Sequence, residues 1–310
     1  MSLYGMFAGK GPSGFGYGSS AEDVTEGVSL AGKTILVTGC NSGLGLETTR
    51  VLAKRGAHVI GTARTADKAR DAGKSVQGDT SGLACELSDP RSVRACVDAV
   101  KASGRELDVI IANAGIMALP KRETAHGIEL QLFTNHVGHF MLVTGLLDVL
   151  ADDGRVVIVS SEAHRSAPKE TIRFDDLGAE KSYSPWVAYG QSKIANILFA
   201  KELAQRFAAS GSKRTANALH PGIIRTNLAR HINPISATVA LALAGPIALK
   251  SVGEGAATQC HLAAHPGVAG VSGEYFSHCN VAKPRADARD PEIAKKLWAR
   301  TEEIVAALPR

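Results

Sequence analysis

From Lys33 onward, short apolar runs alternate with longer stretches whose apolar positions recur at helical spacing. Thr34-Ile35-Leu36-Val37 is the first run, and Leu46–Arg55 follows it with a helical repeat. Ala57-His58-Val59-Ile60 is the next strand, followed by a polar helix near Asp67. Further strands are expected at Leu83–Leu87, Asp108–Ala112, Arg155–Ser160, Thr215–Leu219 and Glu274-Tyr275-Phe276, with an amphipathic helix within Pro291–Leu308. Continuous apolar strands are buried on both faces, and helices between them make the sheet parallel. The pattern predicts an α/β fold: a doubly wound, Rossmann-type parallel sheet of about seven strands with helices on both faces. It forms a single domain over residues 30–310. Residues 1–29, with Gly9-Lys10-Gly11-Pro12 and Gly14-Phe15-Gly16-Tyr17-Gly18, show no periodicity and read as a flexible tail. A short helix over Ala21–Gly27, capped by Ser19 or Ser20, is the one element expected there. Asn227–Leu249 carries many small apolar residues and reads as a substrate lid around 227–250, or equally as a core helix or partner surface.

Composition narrows the class. With 45% apolar and 21% charged residues the chain is ordinary globular protein. Its net charge of +5 is dispersed, so nothing marks a nucleic-acid footprint. Five widely spaced cysteines without a CxxC pattern fit neither a disulfide framework nor a zinc site. No basic-then-apolar leader opens the chain, and Ile235–Leu249 is too short to span a bilayer. The expectation is a cytoplasmic protein with no integral membrane segment. Ten histidines include the pairs His136/His139 and His261/His265, but no Cys or carboxylate completes a ligand set, so no catalytic metal is expected.

The first strand runs directly into Thr38-Gly39-Cys40-Asn41-Ser42-Gly43-Leu44-Gly45 and a helix. Glycines there let the backbone turn tightly and approach a pyrophosphate at the helix N-terminus. A glycine cluster means little alone; between first strand and first helix it is a nucleotide site. At the end of the second strand, where an NAD enzyme needs a carboxylate, stands Gly61-Thr62-Ala63-Arg64. A small residue followed by a guanidinium suits a 2′-phosphate, so NADP(H) is preferred over NAD(H).

Tyr189-Gly190-Gln191-Ser192-Lys193 opens a helical run, placing Tyr189 and Lys193 on one helix face. An ammonium beside a phenol favours the phenolate and lowers the Tyr pKa, so Tyr189 can serve as general acid/base. Val156-Val157-Ile158-Val159-Ser160-Ser161 ends a buried strand in two hydroxyls, at the end of the sheet where ligands bind. Ile110-Ile111-Ala112-Asn113-Ala114-Gly115 ends the fourth strand likewise, Asn135 lies inside a helical segment, and His220-Pro221-Gly222-Ile223-Ile224-Arg225-Thr226 follows the sixth strand.

As an ordered set over Leu30–Phe276, these residues resemble the short-chain dehydrogenase/reductase family, of the ordinary, non-extended type. The resemblance implies that Thr38, Gly39, Asn41, Ser42, Gly43, Leu44 and Gly45 shape the cofactor loop. It places Arg64, Glu86, Leu87 and Asn113-Ala114-Gly115 on the adenosine side, Glu86 standing where the family usually has Asp. Asn135 would hold a helix kink and a water-linked proton path. Ser161, chosen over Ser160 by the family's register, would orient the substrate oxygen. Tyr189 would be the general acid/base and Lys193 would bind the nicotinamide ribose. Pro221, Gly222, Ile224 and Thr226 would close over the nicotinamide. The long Ser161-to-Tyr189 interval, Ser161-Glu162-Ala163-His164 and Gly273-Glu274-Tyr275-Phe276 resemble the retinol dehydrogenase branch, which mostly uses NADP(H).

The expected function is hydride transfer between NADP(H) and a carbonyl or alcohol of an apolar small molecule. Arg165–Val187, with Phe174, Tyr183 and Trp186, would edge the substrate pocket. A homodimer or homotetramer through the helices of His126–Leu150 and Tyr189–Phe207 is expected by analogy. A nucleotide sensor or scaffold on the same fold is the alternative, and the intact Ser161–Tyr189–Lys193 set argues against it. A sugar-nucleotide epimerase of the extended type would carry glycine at position 42, where Ser42 stands.

Overall fold

A computed structural model describes residues 9–224 and 249–309. Thr226 and almost all of the expected lid, residues 227–248, lie outside the described residues. The elements in chain order are β1 (Thr34–Thr38), α1 (Gly43–Lys54), β2 (His58–Ala63), α2 (Ala66–Lys74), β3 (Thr80–Ala84), α3 (Pro90–Ala102), β4 (Leu107–Ala112), α4 (Gly138–Gly145), β5 (Leu150–Val159), α5 (Pro185–Ala209), β6 (Thr215–His220), α6 (Val252–Ala264), β7 (Tyr275–Ser277), β8 (Asn280–Val281) and α7 (Pro291–Ala307). One eight-stranded sheet runs β8-β7-β6-β5-β4-β1-β2-β3. All its pairings are parallel except β8 on β7. The order reverses between β1 and β4, the point where an open α/β sheet leaves a crevice at its carboxyl ends.

Strand alternation divides the core in two. Ile35, Val37, Val59, Val109, Ile111, Val157 and Val159 face one layer, with α1 and α6. Leu36, Ile60, Ile110, Val156 and Ile158 face the other, with α3, α4, α5 and α7. Helix starts follow local chemistry: Thr65 accepts from Lys68 N, Asp89 from Arg91 N ahead of Pro90, and Ser251 with Glu254 forms a capping box on α6.

Three expectations are corrected, and the packing of α7 is added to them. β3 covers Thr80–Ala84 rather than Leu83–Leu87, because its edge position leaves it half exposed, without an apolar run, while Cys85 and Leu87 pack in the turn beyond. β8 was not foreseen; it follows a tight reversal with His278 and Cys279 at φ 53° and 65°. Of the flexible tail expected over 1–29, residues 9–29 are instead a docked strap. Ala21 and Val24 are fully buried, Phe15 meets His261 and His265 edge-on, and Glu22 pairs with Arg50 and Lys54 of α1. Apolar anchors spaced between glycines lack a period but still pack. Finally, α7 covers the helices expected to pair between subunits. Trp298 packs on Phe140 and Phe199, and His136 Nε2 meets Thr301 Oγ1 at 3.0 Å. Residues 131–143 and 188–200 are buried throughout within one chain.

Candidate active site

The cofactor crevice is shaped by missing side chains. Gly39 and Gly43 sit at φ 69° and 54°, where a Cβ is strained. Any Cβ on Gly45 would collide with the Gly39 carbonyl oxygen and lie 2.7 Å from Asn113 Nδ2. The Ser42 side chain makes no capping bond to α1, so the first-turn amides face the crevice. Asn41 is exposed on its lip, while Leu44 is buried and meets Ile224 at Gly255 of α6. This cradle fits the pyrophosphate of a dinucleotide.

Beyond it, Arg64 is exposed at the end of β2 and engages no carboxylate among the described residues. Glu86 Oε1 accepts from Ser88 Oγ at 2.8 Å and Ser88 N at 3.2 Å, so its carboxylate shapes the turn into α3. Leu87 is buried with its carbonyl against Gly138. Asn113 braces β4 to β1, its Nδ2 donating to Thr38 O at 2.7 Å. The amides of Asn113 and Ala114 both donate to Thr38 Oγ1 at 2.9 Å.

At the chemical end, Tyr189 is 6% exposed near the start of α5. Burial pushes its phenol pKa up to about 12, and the neighbouring Ser161 hydroxyl pulls the other way. Lys193 lies on the same helix face with Nζ 5.6 Å from the Tyr189 ring centre. Nζ donates to Val159 O at 3.0 Å, and burial pulls its pKa down to about 8. The expected lowering of the phenol pKa is therefore reversed in this site: desolvation raises it, while the ammonium is turned to the end of β5. Ser160 faces away from the phenol, and its hydroxyl donates to Lys193 O at 2.7 Å. Gly190 lets α5 rest on the turn after Ser161, since a Cβ there would sit 2.6 Å from Ala163 O. His164 holds the same turn through Nδ1, 2.8 Å from Ser161 O.

Asn135 lies in a π-turn, Phe133–Val137, a form that recurs at functional sites. Its side chain accepts from Ile116 N at 2.8 Å and donates to Ile116 O and Ser192 Oγ, each at 2.9 Å. A Cβ on Gly115 would lie 3.0 Å from Asn135 Oδ1 and 3.5 Å from Lys193 Nζ, so the three meet around one small volume. Pro221 and Gly222, the latter at φ 93°, turn the chain after β6, with Gly222 N donating to His220 Nδ1 at 3.0 Å. Of the three aromatics expected to edge the pocket, only Trp186 stays open: 46% exposed and edge-on to Tyr189 at 6.2 Å. Tyr183 donates to Leu119 O at 2.6 Å, and Phe174 lies under Lys296.

Sequence reading weighed His139 only as a metal ligand and gave Gly190 and Ser192 no role of their own, although the adjacency of the latter two to Tyr189 and Lys193 could have flagged them. Among the described residues, no group of three His, Cys, Asp or Glu is arranged to hold a metal. Among them, too, no helix is long and apolar enough to cross a membrane.

A carboxyl-end crevice with a glycine cradle and a buried Ser–Tyr–Lys set defines a dinucleotide-dependent oxidoreductase site. The short chain dehydrogenase family profile matches residues 33–173. The chain is 40% identical to the short-chain dehydrogenase TIC 32 B, chloroplastic, of Brassica napus, over all of both chains. It is 40% identical to retinol dehydrogenase 14 of Homo sapiens over 90% of this chain and 88% of that one. A solved structure of an uncharacterized protein from Mycobacterium Paratuberculosis superposes with a TM-score of 0.74 at 37% identity, over 93% of this chain and 98% of that one. The chain belongs to the short-chain dehydrogenase/reductase family, in its retinol dehydrogenase-like branch, and is an oxidoreductase of the hydride-transfer kind.

Proposed function

We propose that the chain reduces carbonyl groups of apolar small molecules, or oxidises the matching alcohols, with NADP(H) in preference to NAD(H) and Tyr189 as the general acid/base. The observation that carries this is the buried Tyr189 phenol beside Ser161, with the exposed Trp186 ring edge-on to it. The bound dinucleotide supplies or accepts the hydride. Ser161 Oγ orients the substrate oxygen, and Tyr189 Oη gives it a proton. With a pKa near 12 the phenol is protonated at neutral pH, which favours reduction; alcohol oxidation then gains as pH rises. Lys193 is placed to bind the nicotinamide ribose and to offset the cost of the phenolate.

The exposed Arg64 guanidinium, free of a carboxylate partner among the described residues, is what supports the 2′-phosphate preference. Asn41, Ser42, Gly43, Leu44, Asn113 and Gly115 line the remaining dinucleotide path, and Thr226 joins them by family position alone. Five free, buried cysteines fit a reducing compartment such as the cytoplasm.

The test is oxidation of NADPH, with NADH alongside, over a panel of apolar ketones and aldehydes. Turnover with NADPH, falling about 10²–10⁴-fold in Tyr189→Phe, is expected. Arg64→Ala raises the KM for NADPH about tenfold or more and leaves that for NADH in place. A wild-type preference for NADH sinks the Arg64 reading. Tight NADPH binding without turnover on any carbonyl or alcohol puts a nucleotide sensor in its place.

A further inference from the structure

His139 is fully buried on α4, outside the set of groups that act on substrate. Its Nε2 lies 2.9 Å from Thr38 Oγ1 and its Nδ1 lies 3.0 Å from Asn135 O. The surroundings determine which nitrogen carries the proton. Thr38 Oγ1 already accepts two amides, from Asn113 and Ala114. With both lone pairs taken, its own hydrogen must be donated. The nearest acceptor is His139 Nε2, since Ile111 O is farther, at 3.5 Å. Nε2 is therefore bare, and Nδ1–H donates to Asn135 O, which can only accept. An imidazolium would turn an N–H toward a saturated hydroxyl. Burial and the charge of Lys193 oppose it as well, and hold the His139 pKa near 4; His136, the other ionisable neighbour, is itself held neutral by burial.

The bonds continue in one direction. Asn135 Nδ2 donates to Ser192 Oγ at 2.9 Å, and Ser192 Oγ donates to Tyr189 O at 2.8 Å. Thr38, His139, Asn135, Ser192 and Tyr189 thus form one buried chain from the dinucleotide loop to the backbone of the reactive tyrosine. Neighbouring bonds polarise one another within each half, from Thr38 to Asn135 O and from Asn135 Nδ2 to Tyr189 O, and the covalent frame of Asn135 joins the two halves.

We propose that His139 is a positioning residue that locks the cofactor loop to the Asn135 turn, so that filling the dinucleotide crevice and setting Tyr189 for reaction are energetically coupled. The coupling rests on the proposed dinucleotide site; the tautomer does not.

Two variants divide the residue into its halves. His139→Asn places an amide where Nδ1 lies, keeping the bond to Asn135 O and losing Thr38. His139→Gln reaches the position of Nε2, keeping Thr38 and losing Asn135. Measured by NADPH fluorescence titration and steady-state turnover, His139→Asn raises the NADPH Kd about tenfold, more than it lowers kcat. His139→Gln lowers kcat about tenfold, more than it raises Kd. A void or a general loss of stability moves both quantities together in both variants. Equal changes in Kd and kcat, or changes under twofold, overturn the proposal. Nitrogen-15 imidazole spectra of the wild-type protein without ligand give a second decision, one that survives if either variant fails to fold. The Nδ1–H tautomer, constant from pH 8 to 5, is expected; an Nε2–H tautomer, or titration near 6.5, overturns it. If NADPH does not bind wild type at all, the dinucleotide reading has failed, while the spectra still report on His139.

Discussion

The two ends of the crevice achieve function by opposite means. Around Thr38–Gly45 the chain removes side chains: three glycines bring the backbone within reach of a ligand, and one added methyl at Gly45 has nowhere to go. Between β5 and α5 the chain buries ionisable side chains, and desolvation moves Tyr189 up and Lys193 down. The first end is governed by sterics and responds all-or-none, without regard to pH. The second is governed by solvation and answers in a graded way to protons. Sterics at the loop hold no proton, so only the second end can carry a pH signature.

Gly45→Ala is the strongest way to break this contrast. The new methyl must displace Gly39 O or Asn113 Nδ2, so NADPH affinity falls about a hundredfold at every pH and stability drops by about 1–3 kcal/mol. Retention of wild-type affinity by fluorescence titration would show that the loop is not close-packed.

Lys193→Met sharpens the other side. The Lys193 pKa is about 8 when folded against an ordinary 10.5, so the folded state sheds its proton first. Below pH 8 both states are charged and the folded state bears the full desolvation cost. That cost is relieved as pH rises from 8 to 10.5, by roughly 3 kcal/mol. Buried Lys250, also near 8, behaves alike. Buried Cys40, Cys85, Cys260 and Cys279, whose pKa values burial raises, oppose the rise above about pH 9, as Tyr189 does above 10. The Lys193 share is therefore read as a difference: in denaturant unfolding, Lys193→Met should gain stability relative to wild type below pH 8 and lose that advantage by roughly 3 kcal/mol by pH 10.5; a constant difference removes Lys193 from the account.

The smallest effect lies under the strap. His261 is 1% exposed against Phe15, both its ring nitrogens lack hydrogen-bond partners, and burial holds its pKa near 4. The unfolded chain takes up its proton below 6.5 while the folded chain refuses it until about 4, so stability is lost across that interval as pH falls. His261→Leu should gain about 1 kcal/mol at neutral pH and more at pH 5, read by thermal unfolding. A loss at both values would mean that the ring's shape, rather than its polarity, is what the strap requires.

Much of the architecture was legible because it rests on local pattern. Ile35-Leu36-Val37 and Val156–Val159 read as buried strands since each faces helices on both sides, and the glycine loop read as a cradle because it sits between β1 and α1. β3 was misplaced because an edge strand has one neighbour and no continuous apolar run. The strap was misread because Phe15 and Tyr17 find their partners, His261, His265 and His278, more than two hundred residues away. Asn135 was singled out as a poor helix former, and the π-turn is the reason it is tolerated.

The sequence by itself determined the layer order and the strands' burial and put Ser161, Tyr189 and Lys193 forward as the candidate reactive set, since periodicity and motif order are properties of neighbours along the chain. Only the tertiary structure set the desolvation of Tyr189 and Lys193, because burial depends on what packs over them, the turn after Ser161 included. It decided, too, that α7 covers the helices expected to pair between subunits. And it alone joined Thr38 to Tyr189 through His139, since a hydrogen-bond chain across four segments has no signature in any one of them.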